Sequence, residues 1–439
     1  MLRSSYARFL PLVVFLASLT FAADQAQPAK SAPGTPAVIE HVIIIFQENR
    51  TTDNLFHGLP GADTADYGYN SKGQKIPLTS IGLKNSYTLD HYHPDFEWMY
   101  DDGKMDGADR IPADCGTHCP PNMQFKYVLQ SDVQPYFDMA ETYAFADRMF
   151  QSNQGPSYPA HQFIIGATSA PSPTSLDFDG EDTFGVGSPA LHSGCGAAPQ
   201  VFTRLINPVG QEQQVVRPCF DHLTLMDLLD DKGLSWKYYT LSLGYIWTGP
   251  NAISHIYNGK GWKNVIPFPP QILTDIKAGK LATVSWAIPP SVSSDHPHGN
   301  NGSGPSWVAS IVNAVGNSPY WNNTAIFVSW DDWGGWYDHV PPPIRNSYEY
   351  GFRVPLVIIS PYARPAYVSH VNHDFSSIIK FAETVFDLPS LGFGDAYSDD
   401  LMDCFNFNQK PLKFHKIEAP LKADYFLKLK SLPNPVDDD

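Results

Sequence analysis

Five short apolar runs, at 42–46, 235–240, 282–287, 325–329 and 355–360, are mostly uninterrupted by polar residues. A strand covered on one face alternates, whereas one covered on both reads as a continuous apolar run, so these predict fully buried strands. Between them, apolar residues recur at helical spacing over 134–144, 224–232, 307–315 and 375–386. Strands interleaved with amphipathic helices predict α/β layering around a mostly parallel sheet. Residues 67–106 and 170–220 have little periodicity and are rich in Gly, Pro, Ser and Asp. At that length they are expected to be insertions that roof a site.

Two of the apolar runs break abruptly into polar residues. The first, in HVIIIFQENRTTDNLFHG at 41–58, ends in Glu48 and Asn49; the second, in TAIFVSWDDWGG at 324–335, ends in Asp331 and Asp332. In an open α/β sheet the carboxyl ends of the strands form the ligand crevice, so four oxygen-bearing side chains can converge there. Such a set suits a divalent cation, Ca, Mg or Mn, and Zn also accepts carboxylates. For the first end, the competing reading is a capping cluster in which Thr51, Thr52 and Asp53 start a helix. For the second it is a solvated acidic turn. Adjacent carboxylates flanked by Trp330, Trp333 and Trp336 argue for burial beside a neutralising cation instead. Asn49-Arg50-Thr51 matches a glycosylation sequon, but a residue directly after a buried strand is a poor acceptor.

A candidate nucleophile lies between these ends. Gly155-Pro156 predicts a turn, and Pro159 suits the first turn of the helix that continues through Ile165, which puts Ser157 at a helix N-terminus. Backbone amides and the dipole there favour an anion such as a phosphoryl group. An ordinary N-cap serine is the plainer alternative. Histidines lie beside acids in Asp90-His91, Asp295-His296, Asp338-His339 and His373-Asp374, and a histidine near a phosphoryl group can bind oxygen, move a proton or ligate metal. His91 and His296, in Gly/Pro-rich surroundings, are the two expected to face the crevice.

Composition narrows the setting. Residues 1–22 carry Arg3 and Arg8, an apolar stretch from Phe9 to Phe21 and small residues at the end, the pattern of a cleaved secretory signal. That stretch is too short to span a bilayer, so no stable membrane anchor is expected and the protein is read as secreted or periplasmic. Residues 23–39 read as a flexible lead-in, 40–425 as one catalytic domain and 426–439 as a tail. A formal charge of -16 argues against a nucleic-acid backbone as partner, because phosphate binding wants clustered Lys and Arg. In an exported chain, Cys115 with Cys119 and Cys195 with Cys219 are plausible disulfides, leaving Cys404 alone. A zinc site at Cys115, His118 and Cys119 lacks a fourth ligand and the usual spacing.

Taken in order, the motifs resemble those of the phosphoesterase family that contains bacterial phospholipases C and related acid phosphatases. They are Glu48-Asn49-Arg50 with Asp53 and Gly58, His91 followed by residues 103–107, and Gly155-Pro156-Ser157 with Pro159. Then come His296-Pro297, Asp331-Asp332 with Gly334-Gly335, Asp338-His339 with residues 340–342, residues 351–355, and Ser360-Pro361. The resemblance implies a three-layer α/β/α sandwich like that of alkaline phosphatase, with long loop insertions. It further implies that Glu48, Asn49, Asp331 and Asp332 bind the active-site metal, that Ser157 is the nucleophile of a phosphoseryl mechanism, and that His91 and His296 contact phosphate or assist proton transfer. The implied substrate is a phosphoester, with a phospholipid headgroup as one form. Two departures stand out: the family often has threonine at the nucleophile followed by Asn-Arg, whereas here Ser157 precedes Tyr158-Pro159-Ala160-His161; and Asp332 replaces a frequent glutamate, which leans towards the acid-phosphatase branch. Two rival readings are a sulfatase, whose Cys/Ser-x-Pro-x-Arg signature lacks its arginine here, and an exported binding protein that keeps a metal for stability alone.

Overall fold

The computed structural model describes residues 38–116, 119–185 and 193–429. The expected signal 1–22, residues 23–37 of the lead-in, residues 430–439 of the tail and His118 lie outside the described residues. Eight strands form the central sheet: β1 His41–Gln47, β2 Ala144–Ala146, β3 Trp236–Tyr239, β4 Val265–Ile266, β5 Val284–Ala287, β6 Thr324–Trp330, β7 Leu356–Ile359 and β8 Tyr367–Ser369. Their spatial order is β4-β3-β5-β1-β6-β7-β2-β8. Neighbours are parallel except around β7, which runs antiparallel to both β6 and β2.

Every residue of β6, and β1 from Val42 onward, is buried, so both faces of the sheet are covered. Consecutive side chains on β1 show how. Phe46 packs its ring 4.9 Å from Phe375, while Gln47 donates from Nε2 to Tyr136 Oη at 3.0 Å. Tyr136 belongs to α1 Gln130–Thr142, which packs in one set with α4 Gln271–Lys277 and α5 Gly304–Gly316. Phe375 opens α6 Phe375–Phe386, which packs in a second set with α2 Ser157–Gly166 and α3 Leu225–Lys232. Successive strand residues point to opposite faces, so the two helix sets are the outer layers of an α/β/α sandwich.

The register of the two central strands places the site. β1 and β6 pair residue for residue from His41 with Thr324 to Gln47 with Trp330, and the Asp331 amide then donates to Gln47 O at 2.9 Å. Both strands therefore end at one level, and Glu48 and Asp331 emerge side by side. Of the predicted elements, the helix expected at 134–144 ends at Thr142, because Tyr143 leaves helical geometry and Ala144–Ala146 inserts as strand β2 between β7 and β8.

The 67–106 insertion contributes the hairpin Tyr67–Tyr69 with Lys75–Pro77 and the helix His93–Tyr100. A separate apolar cluster containing Leu89, Phe96, Met99 and Phe125 packs on Trp333 and Trp336, and so seals the acidic end of β6. The 170–220 insertion carries the antiparallel pair Val201–Ile206 and Glu212–Val216. Both expected disulfides, Cys115–Cys119 and Cys195–Cys219, are present, and Cys404 is buried and unbridged. Among the described residues no helix is long and apolar enough to cross a membrane.

Candidate active site

After β1 the chain turns sharply: Asn49 sits in the left-handed region at φ 60°, a conformation asparagine tolerates better than most residues. Its backbone amide donates to Asp331 Oδ1 at 3.0 Å, tying the two strand ends together. Capping of the next helix falls to Thr51, whose Oγ1 accepts from the Asn54 amide, so the cap does not draw on Glu48 or Asn49. The Asn49 side chain is oriented by His91. His91 Nδ1 lies 2.8 Å from Leu89 O, which can only accept, so Nδ1 carries the proton and Nε2 accepts from Asn49 Nδ2 at 2.9 Å. Asn49 Oδ1 is thereby turned the other way, buried and without a hydrogen-bond donor, as is Asp331 Oδ2.

The Gly334 amide holds Asp332 Oδ1 at 2.7 Å. Gly334 itself is at φ 59°, and a Cβ there would lie 2.7 Å from both Asn49 Cβ and Asn49 O, so only glycine fits against the turn.

Ser157 is the first residue of α2, with Pro156 at the cap position. Its hydroxyl donates towards Asp332 Oδ2 at 3.3 Å and Glu48 Oε2 at 3.5 Å. One turn later His161 lies on the same face of the helix, with Nε2 3.3 Å from Glu48 Oε1 and 3.9 Å from Asp331 Oδ2. Burial pushes the His161 pKa down to about 4 against the pull of Asp331, so the ring is neutral at neutral pH.

Glu48, Asn49, His91, Ser157, His161, Asp331 and Asp332 are all fully buried. The nearby cation, Arg50, is committed elsewhere, donating to Asp295 O and Asn54 Oδ1 and stacking on Trp336. Three buried carboxylates beside a neutral imidazole are expensive without a counter-charge. Glu48, His161 and Asp331 each offer a ligand atom within 4.8 Å of the others, and Asn49 Oδ1 and Asp331 Oδ2 accept no hydrogen bond. The donor set fits a divalent cation.

The remaining sequence candidates make other contacts. His296 lies two residues beyond Ser294, whose carbonyl accepts the Glu48 amide at 2.9 Å; its Nδ1 is 2.6 Å from Pro297 O and its ring lies 6.1 Å from the Trp247 ring. Asp295 anchors the same loop by accepting from Tyr136 Oη and Trp330 Nε1. Asp338 and His339 are drawn with Asp53 into an ion-pair network around the buried Arg353. His373 lies 3.0 Å from Asp399 and 3.6 Å from Asp403. The residue that sequence reasoning passed over is His161. The signal was its position four residues after Ser157 in a helix, which places both side chains on one face.

A model of the Phosphoesterase family matches residues 39–389. Phospholipase C A of Mycobacterium tuberculosis is 24% identical over 453 residues, covering 88% of this chain and 81% of that protein. Non-hemolytic phospholipase C of Pseudomonas aeruginosa is 24% identical over 471 residues, covering 91% of this chain and 62% of that protein. Among solved structures, a protein in the alkaline phosphatase superfamily from Vibrio parahaemolyticus covers 87% of this chain and 72% of that chain, at 10% identity and a TM-score of 0.38. The protein belongs to the Phosphoesterase family and is a hydrolase acting on phosphoric esters.

Proposed function

We propose that Ser157 is the nucleophile of a metal-dependent phosphoesterase of the phospholipase C or acid phosphatase type. The observation that carries this reading is the Ser157 hydroxyl at a helix N-terminus, 3.3 Å from Asp332 and 3.5 Å from Glu48 in a buried, carboxylate-rich cluster. Ser157 Oγ attacks phosphorus, and its proton passes to a carboxylate oxygen already in hydrogen-bond range. The ester P–O bond breaks, the leaving oxygen departs as an alcohol once protonated, and a phosphoserine remains. Water then attacks that phosphorus, one of its protons returning to Ser157 Oγ, and releases phosphate from a monoester substrate or the headgroup phosphomonoester from a phospholipid. The first amides of α2 face the charge on the phosphoryl oxygens, the main demand of this chemistry.

Glu48, Asn49, Asp331 and Asp332 would hold the cation, which supplies Lewis-acid neutralisation of the phosphoryl group when bound. His91 keeps Asn49 in register, and His296, on the loop that holds the Glu48 amide, is assigned the leaving-group proton. Residues 40–425 form the catalytic domain in this reading. Residues 1–22 and the two disulfides support export to an oxidising compartment. The phospholipases C among the relatives support a phospholipid headgroup as substrate.

The test compares metal-replete wild type with Ser157→Ala on p-nitrophenyl phosphate, bis(p-nitrophenyl) phosphate and phosphatidylcholine. A loss of at least about a thousandfold is expected on whichever ester the wild type cleaves. Equal rates would remove Ser157 from the mechanism.

A further inference from the structure

We infer that His161 is itself a ligand of the cation, through Nε2, so that the centre is a mixed nitrogen and oxygen site suited to a transition ion such as Zn rather than to Ca or Mg. The inference rests on the metal reading above and concerns a residue outside the four-oxygen set.

The hydrogen bonds of Tyr238 fix where the imidazole proton sits. Tyr238 Oη donates to Trp247 O at 2.8 Å, so its single proton is committed. Its oxygen lies 3.2 Å from His161 Nδ1 and can only accept there. Nδ1 therefore carries the ring proton, and Nε2 presents a lone pair. That lone pair faces Glu48 Oε1 at 3.3 Å and Asp331 Oδ2 at 3.9 Å, both acceptors. In this tautomer Nε2 brings no proton to either carboxylate, and Asp331 Oδ2 is buried without a hydrogen bond. A cation bound between them removes the conflict. The other tautomer would put a proton on Nε2 for Glu48 but would take the phenol proton for Nδ1, leaving the carbonyl of buried Trp247 without its donor.

The ring is also held as metal-bound imidazoles usually are. Its second nitrogen is hydrogen-bonded, here to Tyr238, and its plane is fixed edge-on to Phe46 with the ring centroids 5.0 Å apart. His91 differs, because its Nε2 is occupied by Asn49. Position 161 is where the sulfatase signature carries arginine, which would bring its own charge and no lone pair. Histidine reverses both properties. It adds a donor atom that imidazole-preferring ions reward and hard oxygen-seeking ions do not.

The test loads the full-length protein with Zn and reads X-ray absorption at the Zn edge, alongside competition titrations with Zn and with Ca. In wild type an imidazole scattering shell is expected. In His161→Gln it should vanish and Zn affinity should fall by about tenfold or more, while Ca affinity changes less than about twofold. Survival of the shell in His161→Gln, or an equal weakening of both ions, would make His161 a hydrogen-bond donor to Glu48 and overturn the inference. If His161→Gln does not fold, wild type and His91→Gln decide: a shell present in both supports ligation by His161, and its absence from either overturns it. A wild type that binds neither ion, and is indistinguishable from Asp331→Asn, would instead sink the metal reading of the whole site.

Discussion

Asn49 Nδ2 lies 2.9 Å from His91 Nε2, and this contact decides which end of the Asn49 amide faces the carboxylates. Because His91 Nδ1 donates to Leu89 O, Nε2 can only accept, and Asn49 must present Oδ1 to the crevice. If His91 acts through Asn49, removing the acceptor at its Nε2 should be felt at the carboxylates. His91→Leu should lower metal affinity and kcat by about 10- to 100-fold. His91→Gln, whose Oε1 can accept the same hydrogen bond, should retain most of both. Equal losses in the two variants, measured by titration and steady-state kinetics, would return the ring to direct proton transfer.

Gly334 tests the same turn from the other side. Its φ is 59° and an added Cβ would lie 2.7 Å from the Asn49 carbonyl oxygen, so Gly334→Ala must displace the turn at Asn49. A displacement of about 1 Å at a reacting centre can cost about 100-fold, and a loss of that order in kcat/KM is expected. Gly279→Ala is the control. Gly279 also has positive φ, at 69°, but a Cβ there meets nothing within 4 Å, so it should lose a little stability and no activity.

The strand ends were legible because burial on both faces removes alternation and makes the termination in Glu48 or Asp331 conspicuous. The residue-by-residue register that sets them side by side is a property of strand pairing, which no local pattern encodes. The helix expected at 134–144 overruns into Ala144, the first residue of β2, and Phe145 and Ala146 carry no strand signal of their own; the place of all three between β7 and β8 overrides local propensity. The reversed direction of β7 was equally hidden, since an antiparallel strand buried on both faces has the same composition as a parallel one. His161 escaped notice because a histidine inside an apolar helix is ordinarily a packed residue, and only Tyr238, from a distant strand, fixes its tautomer.

The network around Arg353 is expected to support stability in a pH-dependent way. Arg353 is fully buried and donates to Asp338 Oδ1 at 2.8 Å, while His339 Nδ1 lies 2.7 Å from Asp53 Oδ2. Burial alone would lower the His339 pKa, but the hydrogen bond and charge of Asp53, then Asp338, outweigh it and raise the pKa to about 9. A raised pKa means the folded state holds the proton more tightly. The His339 contribution is therefore complete below about pH 6.5 and lost as pH rises through about 9. Urea midpoints should show wild type more stable than His339→Gln at about pH 6, with the gap closed by about pH 10. A gap that stays constant across this range would mean that the ring contributes by packing. Arg353→Met, which takes from buried Asp338 the guanidinium it pairs with, should cost about 3–5 kcal/mol at neutral pH.

The disulfide Cys195–Cys219 closes a far longer loop than Cys115–Cys119, with sequence separations of 24 and 4 respectively. Chain-entropy reasoning assigns a crosslink of the longer span about 3 kcal/mol, because it removes more freedom from the unfolded chain. The longer bridge also anchors the 170–220 insertion, since Cys219 follows directly on the strand pair Val201–Ile206 and Glu212–Val216. Replacing Cys195 and Cys219 together by serine should lower unfolding free energy by about 3 kcal/mol in urea, and the Cys115/Cys119 double variant should lower it by less. Reduction of wild type under non-denaturing conditions should give the sum of the two losses. If the short-loop pair proves the costlier to lose, the stabilisation arises in the folded state and not from loop closure.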